Sequence, residues 1–258
     1  MSQPDTTAIA SMTNTAGELT MSSITGKLVL SLIRKSDFAH AGEAESIDLV
    51  FASLPKANEQ RLLDVGCGIG GTAQYVEDRQ WGKVTGIDID ANNIDAAIRR
   101  HSSPTFICSD ATDLAQNVAG HFDVIYSLNA FFLFADQAGA LRAMRKVASP
   151  GTKLAIFDYV DLGGYNTGTS GRRSALILED VERLLRESGW ELERTVSLNA
   201  EYLRWYEELV AAIKTKRKAI EASSSAEFYE YVLARYSETL VDAQAGTLGG
   251  ATVYATAA

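Results

Sequence analysis

Cysteine is scarce in this 258-residue chain, which has only Cys67 and Cys108. Two thiols cannot build a disulfide framework, and the three histidines complete no His/Cys cluster with zinc-site spacing. Neither secretion nor a structural metal is expected. Basic side chains are also few, 24 against 33 acidic, for a formal net charge of −9. Non-specific nucleic-acid binding needs clustered Lys and Arg to displace counterions, so no nucleic-acid partner is expected. The run Lys214-Thr215-Lys216-Arg217-Lys218 reads as a solvated helix face. No stretch reaches the roughly 18 to 20 unbroken apolar residues of a spanning helix, so no membrane partner is expected either. Residues 1–20 lack the basic start and apolar run of a signal peptide and read as a mobile tail, with the cytoplasm as the expected location. Four prolines form no linker that would separate the chain into domains. A homodimer is left open.

What the chain does have is 46% hydrophobic residues beside an ordinary 22% charged, enough for one large buried core. Ile24–Ile33 and the stretch from Glu43 to Leu54, closed by Pro55, carry helical spacing. From Arg61 the rhythm changes to apolar strand, turn and helix, repeated. Strands fit Leu62–Val65, Val84–Ile87, Thr105–Cys108, Val124–Ser127 and Lys153–Phe157, then Leu192–Val196 and Thr252–Thr256. Helices fit Gly71–Asp78, Ala91–Arg100, Asp136–Val147 and Glu179–Ser188. Short continuous apolar runs are what a parallel sheet covered on both faces requires. The expected fold is therefore α/β, a doubly wound sheet in a single domain over 21–258. Residues 21–60 would form an N-terminal helical cover, with 61–199 and 250–257 as the core. Residues 200–249, read as helices Glu201–Glu221 and Ala226–Ala243 broken at Ser223-Ser224-Ser225, would be a helical lid insertion.

The informative segment runs Asp64-Val65-Gly66-Cys67-Gly68-Ile69-Gly70-Gly71. A buried strand feeds a glycine turn and then a helix, so a ligand can lie against main-chain N–H groups. Gly66, Gly68 and Gly71 alone also satisfy the dinucleotide fingerprint. The acids are more specific. Asp64 ends the first strand, Asp88 the second and Asp110 the third. Asp88 suits the two hydroxyls of a ribose. Asp110 suits an adenine amino group, with the N–H of Ala111 meeting a ring nitrogen.

With these residues in view, the chain resembles the class I S-adenosylmethionine-dependent methyltransferases. DVGCGIGGTAQYV, VTGIDID and CSDATDL are similar to their first three motifs, and FDVIYSLNAFFLF with PGTKLAIFDYV to the rest of the core. GIGGTAxY and the short DFAHAGE resemble the small-molecule sarcosine/dimethylglycine and tocopherol type. The resemblance implies a Rossmann-like seven-stranded sheet whose last strand, GGATVYATA, runs antiparallel beside the sixth. It implies S-adenosyl-L-methionine as cofactor and a small-molecule acceptor methylated at N, O or activated carbon. Gly66, Gly68 and Gly70 would bracket the methionine part, with Cys67 among them. Asp64 would approach its amino group, Asp88 the ribose, Ile89 and Asp110 the adenine. Asn129 would stand between cofactor and acceptor.

Around the acceptor, His40, Asn129, Asp158 and Tyr159 are the candidates for catalysis. His40 is open to two readings, a helix cap or an acid–base group. His101 and His121 should face the amino end of the sheet, away from ligands. Phe131, Phe132 and Phe134 could wall a pocket, two of them as core. The stretch Asp161 to Arg173, with four glycines, suits a mobile cover. Most insert aromatics, Tyr202 and Tyr206 among them, should pack on the core, with one or two reaching the pocket. Cys67 reads as a small loop residue rather than a nucleophile, and Cys108 as core. A non-methylating reaction of the same fold, such as a cyclisation, and a non-catalytic cofactor-binding member are the alternatives.

Overall fold

The computed structural model describes residues 20–34, 36–166 and 175–258. Two helices lead, α1 (Ile24–Arg34) and α2 (Glu43–Phe51). The alternating region follows: β1 (Arg61–Val65), α3 (Gly71–Asp78), β2 (Lys83–Asp88), α4 (Ala91–Arg100) and β3 (Thr105–Cys108). It continues through α5 (Leu114–Asn117), β4 (Phe122–Leu128), α6 (Gln137–Lys146), β5 (Ala148–Asp161), α7 (Leu178–Glu187) and β6 (Trp190–Ser197). Three helices, α8 (Asn199–Thr215), α9 (Arg217–Ser223) and α10 (Ala226–Gln244), precede β7 (Leu248–Ala257).

The seven strands order as β3-β2-β1-β4-β5-β7-β6. Strands β1 to β5 pair in parallel, and β7 inserts antiparallel to both β5 and β6. This bears out the doubly wound α/β sheet with an antiparallel last strand. Successive side chains of a strand point to opposite faces, and the core divides accordingly. Leu62, Val124, Ala155 and Phe157 pack with α1, α2, α3, α8 and α10. Leu63, Ile125, Leu154 and Ile156 pack with α6 and α7 on the other face. With helices on both faces, apolar residues are wanted at successive strand positions, which is why the strands read as unbroken runs.

Three expectations need correction, and two short elements were not foreseen. The fifth strand is far longer than Lys153–Phe157, because antiparallel pairing with β7 continues out to Asp161 opposite Leu248. The helix expected over Glu201–Glu221 breaks at Lys216, whose Nζ donates to the carbonyls of Leu32 (2.7 Å) and Ile33 (2.6 Å). A cation there complements the carboxyl end of α1. Cys108 is exposed rather than core, since β3 is the sheet's edge strand. α5 and a single 3-10 turn at Phe131–Leu133 carried no periodic signal. The tail over 1–19 and the stretch of the expected cover over 167–173 lie outside the described residues.

Candidate active site

The glycine loop is shaped by its own backbone. The amides of Gly66 and Cys67 both donate to the Ile87 carbonyl, at 2.9 and 2.8 Å, tying the loop to β2. Gly66 has φ +88°, and a Cβ there would collide with that of Ala130. Only glycine fits both demands. Gly70 turns its open side to the Phe106 ring, 2.5 Å from where a Cβ would stand, so it packs the loop onto β3. Cys67 is buried against Gly86, and burial pushes its thiol well above the ordinary value. That removes thiolate chemistry.

The three acids line up at the carboxyl ends of β1, β2 and β3, which are neighbours in the sheet. Asp64 is 2% exposed, and its Oδ2 has no hydrogen-bond partner among the described residues. Burial, reinforced by the nearby charge of Asp88, pushes its carboxyl up to about 8, against the pull of Tyr126 and Lys27. Asp88 accepts from Gly68 N (2.9 Å) on Oδ2, and from Asp90 N (2.9 Å) and Asn93 Nδ2 (3.1 Å) on Oδ1. A carboxylate has about four acceptor positions, so about one is left over by these three donors. Asp110 closes a tight turn by accepting from the amide and hydroxyl of Thr112 (2.8 and 2.7 Å). Ile89, between these acids in the chain, is 70% exposed, a bare apolar surface at the strand ends. Ala111 is half-buried beside them.

The other half of the site is assembled around Asn129, whose φ of +50° is unusual for a side chain. Its Oδ1 accepts from Ala41 N (3.1 Å), while its Nδ2 faces Tyr202 OH (3.1 Å) and Asp158 Oδ1 (3.4 Å). Asp158 is fully buried and accepts from Phe132 N (2.9 Å) and Tyr159 N (2.8 Å). Burial raises it to about 7 despite these donors. The Tyr159 hydroxyl meets that of Tyr206, and burial holds its phenol above the ordinary range. Tyr206 stacks on Tyr236 at 6.2 Å, and Phe132 sets its edge on Tyr159 at 5.0 Å. Tyr202 and Tyr206 thus reach Asn129 and Tyr159 from the insert. Phe131 is fully buried core.

His40 is buried with both ring nitrogens engaged. Nδ1 lies 3.1 Å from Ala41 O and Ser46 Oγ, and Nε2 lies 3.0 Å from Thr72 Oγ1. The partners fit a neutral ring that donates from Nδ1 and accepts from Thr72. Burial lowers its pKa to about 3, so the ring is uncharged at neutral pH. His101 departs from expectation: its Cδ2 would lie 3.0 Å from a Cβ on Gly70, and its Nε2 is 3.2 Å from Asp37 Oδ2. Burial alone would raise Asp37, but hydrogen bonds from His101, Arg100 and Ser31 hold it well below the carboxylate range. Asp37 thereby anchors the 36–42 segment over the start of α3.

Sequence reasoning passed over Lys27. Its Nζ stands 3.9 Å from Asp88 Oδ2 and presses on Gly68. The available signal was a single charge in the apolar run ITGKLVLSLI. Thr72 and the Ala41 amide carried no signal at all.

A strand order of 3-2-1-4-5-7-6, a glycine turn after β1 and acids at three adjacent strand ends define a class of α/β domains that take a nucleoside cofactor at the sheet's carboxyl edge. Comparison with known proteins narrows that class. Residues 63–156 match the family model described as Methyltransferase domain. Phosphoethanolamine N-methyltransferase 1 of Triticum aestivum is 29% identical over 199 residues, which are 72% of this chain and 39% of that protein. The chain therefore spans about two-fifths of that relative's length. Haemonchus contortus phosphoethanolamine N-methyltransferase 2, solved with phosphomonomethylethanolamine and S-adenosylhomocysteine, superposes with a TM-score of 0.79 at 19% identity, covering 92% of this chain and 58% of that one. The [4+2]-cyclase SpnF superposes with a TM-score of 0.74 at 21% identity, covering 92% and 93%. Over residues 63–156, which hold the glycine loop and all three acids, the chain is thus similar to the methyltransferase domain family.

Proposed function

We propose that this chain transfers a methyl group from S-adenosyl-L-methionine to a small-molecule acceptor. The carrying observation is the row Asp64, Asp88 and Asp110 at adjacent strand ends, with a buried Asp64 oxygen that has no close hydrogen bond among the described residues, though the Tyr126 hydroxyl acts on the same carboxyl. An isolated buried carboxyl oxygen is costly unless a ligand completes it, and the cofactor's amino group would do so. Asp88 would hold a ribose hydroxyl, while Asp110, the Ala111 amide and exposed Ile89 would take the adenine. Gly66, Cys67 and Gly68 would offer their backbone to the methionine part, with Gly70 setting the loop's shape from behind. When bound, the cofactor supplies an electrophilic methyl on a sulfonium.

The chain's own contribution is alignment. Asn129 joins the 36–42 segment, β5 and α8 at the junction between the two halves, so it fixes the distance across which transfer occurs. His40, Asp158 and Tyr159 are each held by hydrogen bonds: His40 stays neutral, and Tyr159 keeps its proton at neutral pH. His40 and Tyr159 therefore position rather than exchange protons, and Asp158, which burial brings to about 7, has both carboxyl oxygens engaged by Asn129 and the amides of Phe132 and Tyr159. Such a site suits an acceptor that attacks without losing a proton first, which favours an uncharged amine nitrogen over a phenol or carbon. Relatives of both kinds match, phosphoethanolamine N-methyltransferases and the O-methyltransferase rstn1 of Aspergillus nomiae, so the preference rests on the site alone.

Isothermal titration with S-adenosylhomocysteine tests the cofactor half. Wild type should bind saturably, and Asp88→Ala should lose about 2–4 kcal/mol, because Asp88 also ties down Gly68. Unchanged affinity would mean that the ribose lies elsewhere. The cyclase-like fold match supports a second reading, a cofactor-binding protein with another reaction. Isotope-labelled methyl that never leaves the cofactor across an amine panel would favour it.

A further inference from the structure

The cofactor half is acidic, yet one cation of the chain is folded into it. Lys27 projects from α1 onto the glycine loop with its side chain 12% exposed. A Cβ on Gly68 would lie 2.6 Å from its Nζ. The 3.9 Å to Asp88 Oδ2 is too long for a hydrogen bond. The ammonium is therefore largely desolvated and lacks a close acceptor among the described residues, a costly state unless a ligand completes it. α1 is held in this position by Ile24 and Leu28, which pack on Ile69 of the loop and Ala96 of α4.

A second observation concerns the ordinary place for a carboxylate, the helix N-terminus behind a glycine loop. Here the start of α3 is covered. A Cβ on Gly71 would lie 2.5 Å from the Asp37 backbone, and the Thr72 hydroxyl is held by His40. The amino-acid end of the cofactor carries an ammonium and a carboxylate. Asp64 matches the first. Lys27, whose charge reaches both Asp64 and Cys67, is placed to match the second.

Resting on the cofactor reading above, we propose that Lys27 binds the cofactor's carboxylate, releasing Asp88 Oδ2 to the ribose as it does so. The lysine thus changes partner on binding, from a distant acid of the chain to a close one of the ligand. Occupancy and the seating of α1 are coupled through this single side chain.

Titration calorimetry on the full chain decides it. The probes are S-adenosylhomocysteine and its decarboxylated analogue, which keeps the amine. Wild type should prefer S-adenosylhomocysteine by about 10- to 100-fold. Lys27→Met should lose most of that preference while binding the analogue about as wild type does, and Lys27→Arg should retain it. The preference is a ratio within one variant, so a general change in fold cancels. A Lys27→Met protein that keeps the full preference, or that gains affinity for both ligands alike, overturns the proposal; the second result would make the ammonium a mere plug. Asp88→Ala separates the two levels. If it leaves both affinities unchanged, the ribose lies elsewhere and the release of Asp88 Oδ2 falls with it; a wild type that binds neither probe overturns the cofactor reading itself. If Asp88→Ala weakens both while Lys27→Met keeps its preference, only the lysine's role falls.

Discussion

The two halves of the site are built by different means. The half proposed for the cofactor is made, Lys27 apart, from the β1–β3 stretch of chain: loop amides bonded to the next strand, an acid at each strand end, and turns closed within two residues. The acceptor half is made from remote chain. Asn129 alone joins Ala41, Asp158 and Tyr202, and Tyr159 meets Tyr206 across the insert. A half built locally can be grafted unchanged onto many proteins of one fold, whereas a half built from remote pieces can be altered by changing any one of them. This difference explains how one cofactor site can serve relatives with different acceptors.

The largest test of that division is Asn129→Ala. It leaves the Ala41 amide and the Tyr202 hydroxyl without their partner and should cost about 2–3 kcal/mol of stability in chemical denaturation. Turnover should fall about tenfold or more while S-adenosylhomocysteine affinity stays within about threefold. An equal loss of cofactor affinity would merge the two halves into one unit.

An intermediate effect comes from pH, because each half holds one buried carboxyl with a raised pKa. Asp64, at about 8, and Asp158, at about 7, keep protons in the folded chain that the unfolded chain releases near pH 4. The native state then binds more protons, so stability falls as pH rises through this window. His40 acts oppositely, since the unfolded ring is protonated below about 6.5 and the folded one is not. The fall should therefore be steepest near neutral pH, above the range in which His40 offsets it. Melting temperatures of the ligand-free protein should show this, and Asp158→Asn should halve the slope there. A slope that persists unchanged would remove Asp158 from the account.

The smallest expected effect is Tyr206→Phe. It deletes one hydroxyl contact to Tyr159 and should cost about 0.5–1.5 kcal/mol, leaving cofactor affinity alone. A rise in acceptor KM without a change in cofactor affinity would sharpen the division, and a change confined to cofactor affinity would break it.

Legibility in the sequence follows the same line. Gly66, Asp64, Asp88 and Asp110 could be found because strand, turn and helix signals bracket them within a few residues. The covered sheet was legible from Leu62-Leu63 and Ile125 onward, since burial on both faces leaves continuous apolar runs. Tyr202 and Tyr206 read as packing, because helical spacing reports a buried stripe and not what its hydroxyls meet. His40 was legible as a residue near chemistry but not as a neutral, doubly bonded ring, which depends on Thr72, far along the chain.

By itself, the sequence determined the α/β sheet, the glycine turn and the row of acids, because each follows from local pattern and the burial of adjacent strands. Only the tertiary structure decided that Asp64 keeps an unpartnered oxygen, that Asn129 is the junction of three elements, and that Lys27 rests on the glycine loop. Those features are contacts between residues remote in the chain, and desolvation, which sets their charge, exists only once the chain has closed around them. The two cysteines and the shortage of basic residues argue against other classes of protein, but it took the fold to bring Lys27 onto the glycine loop beside Asp88.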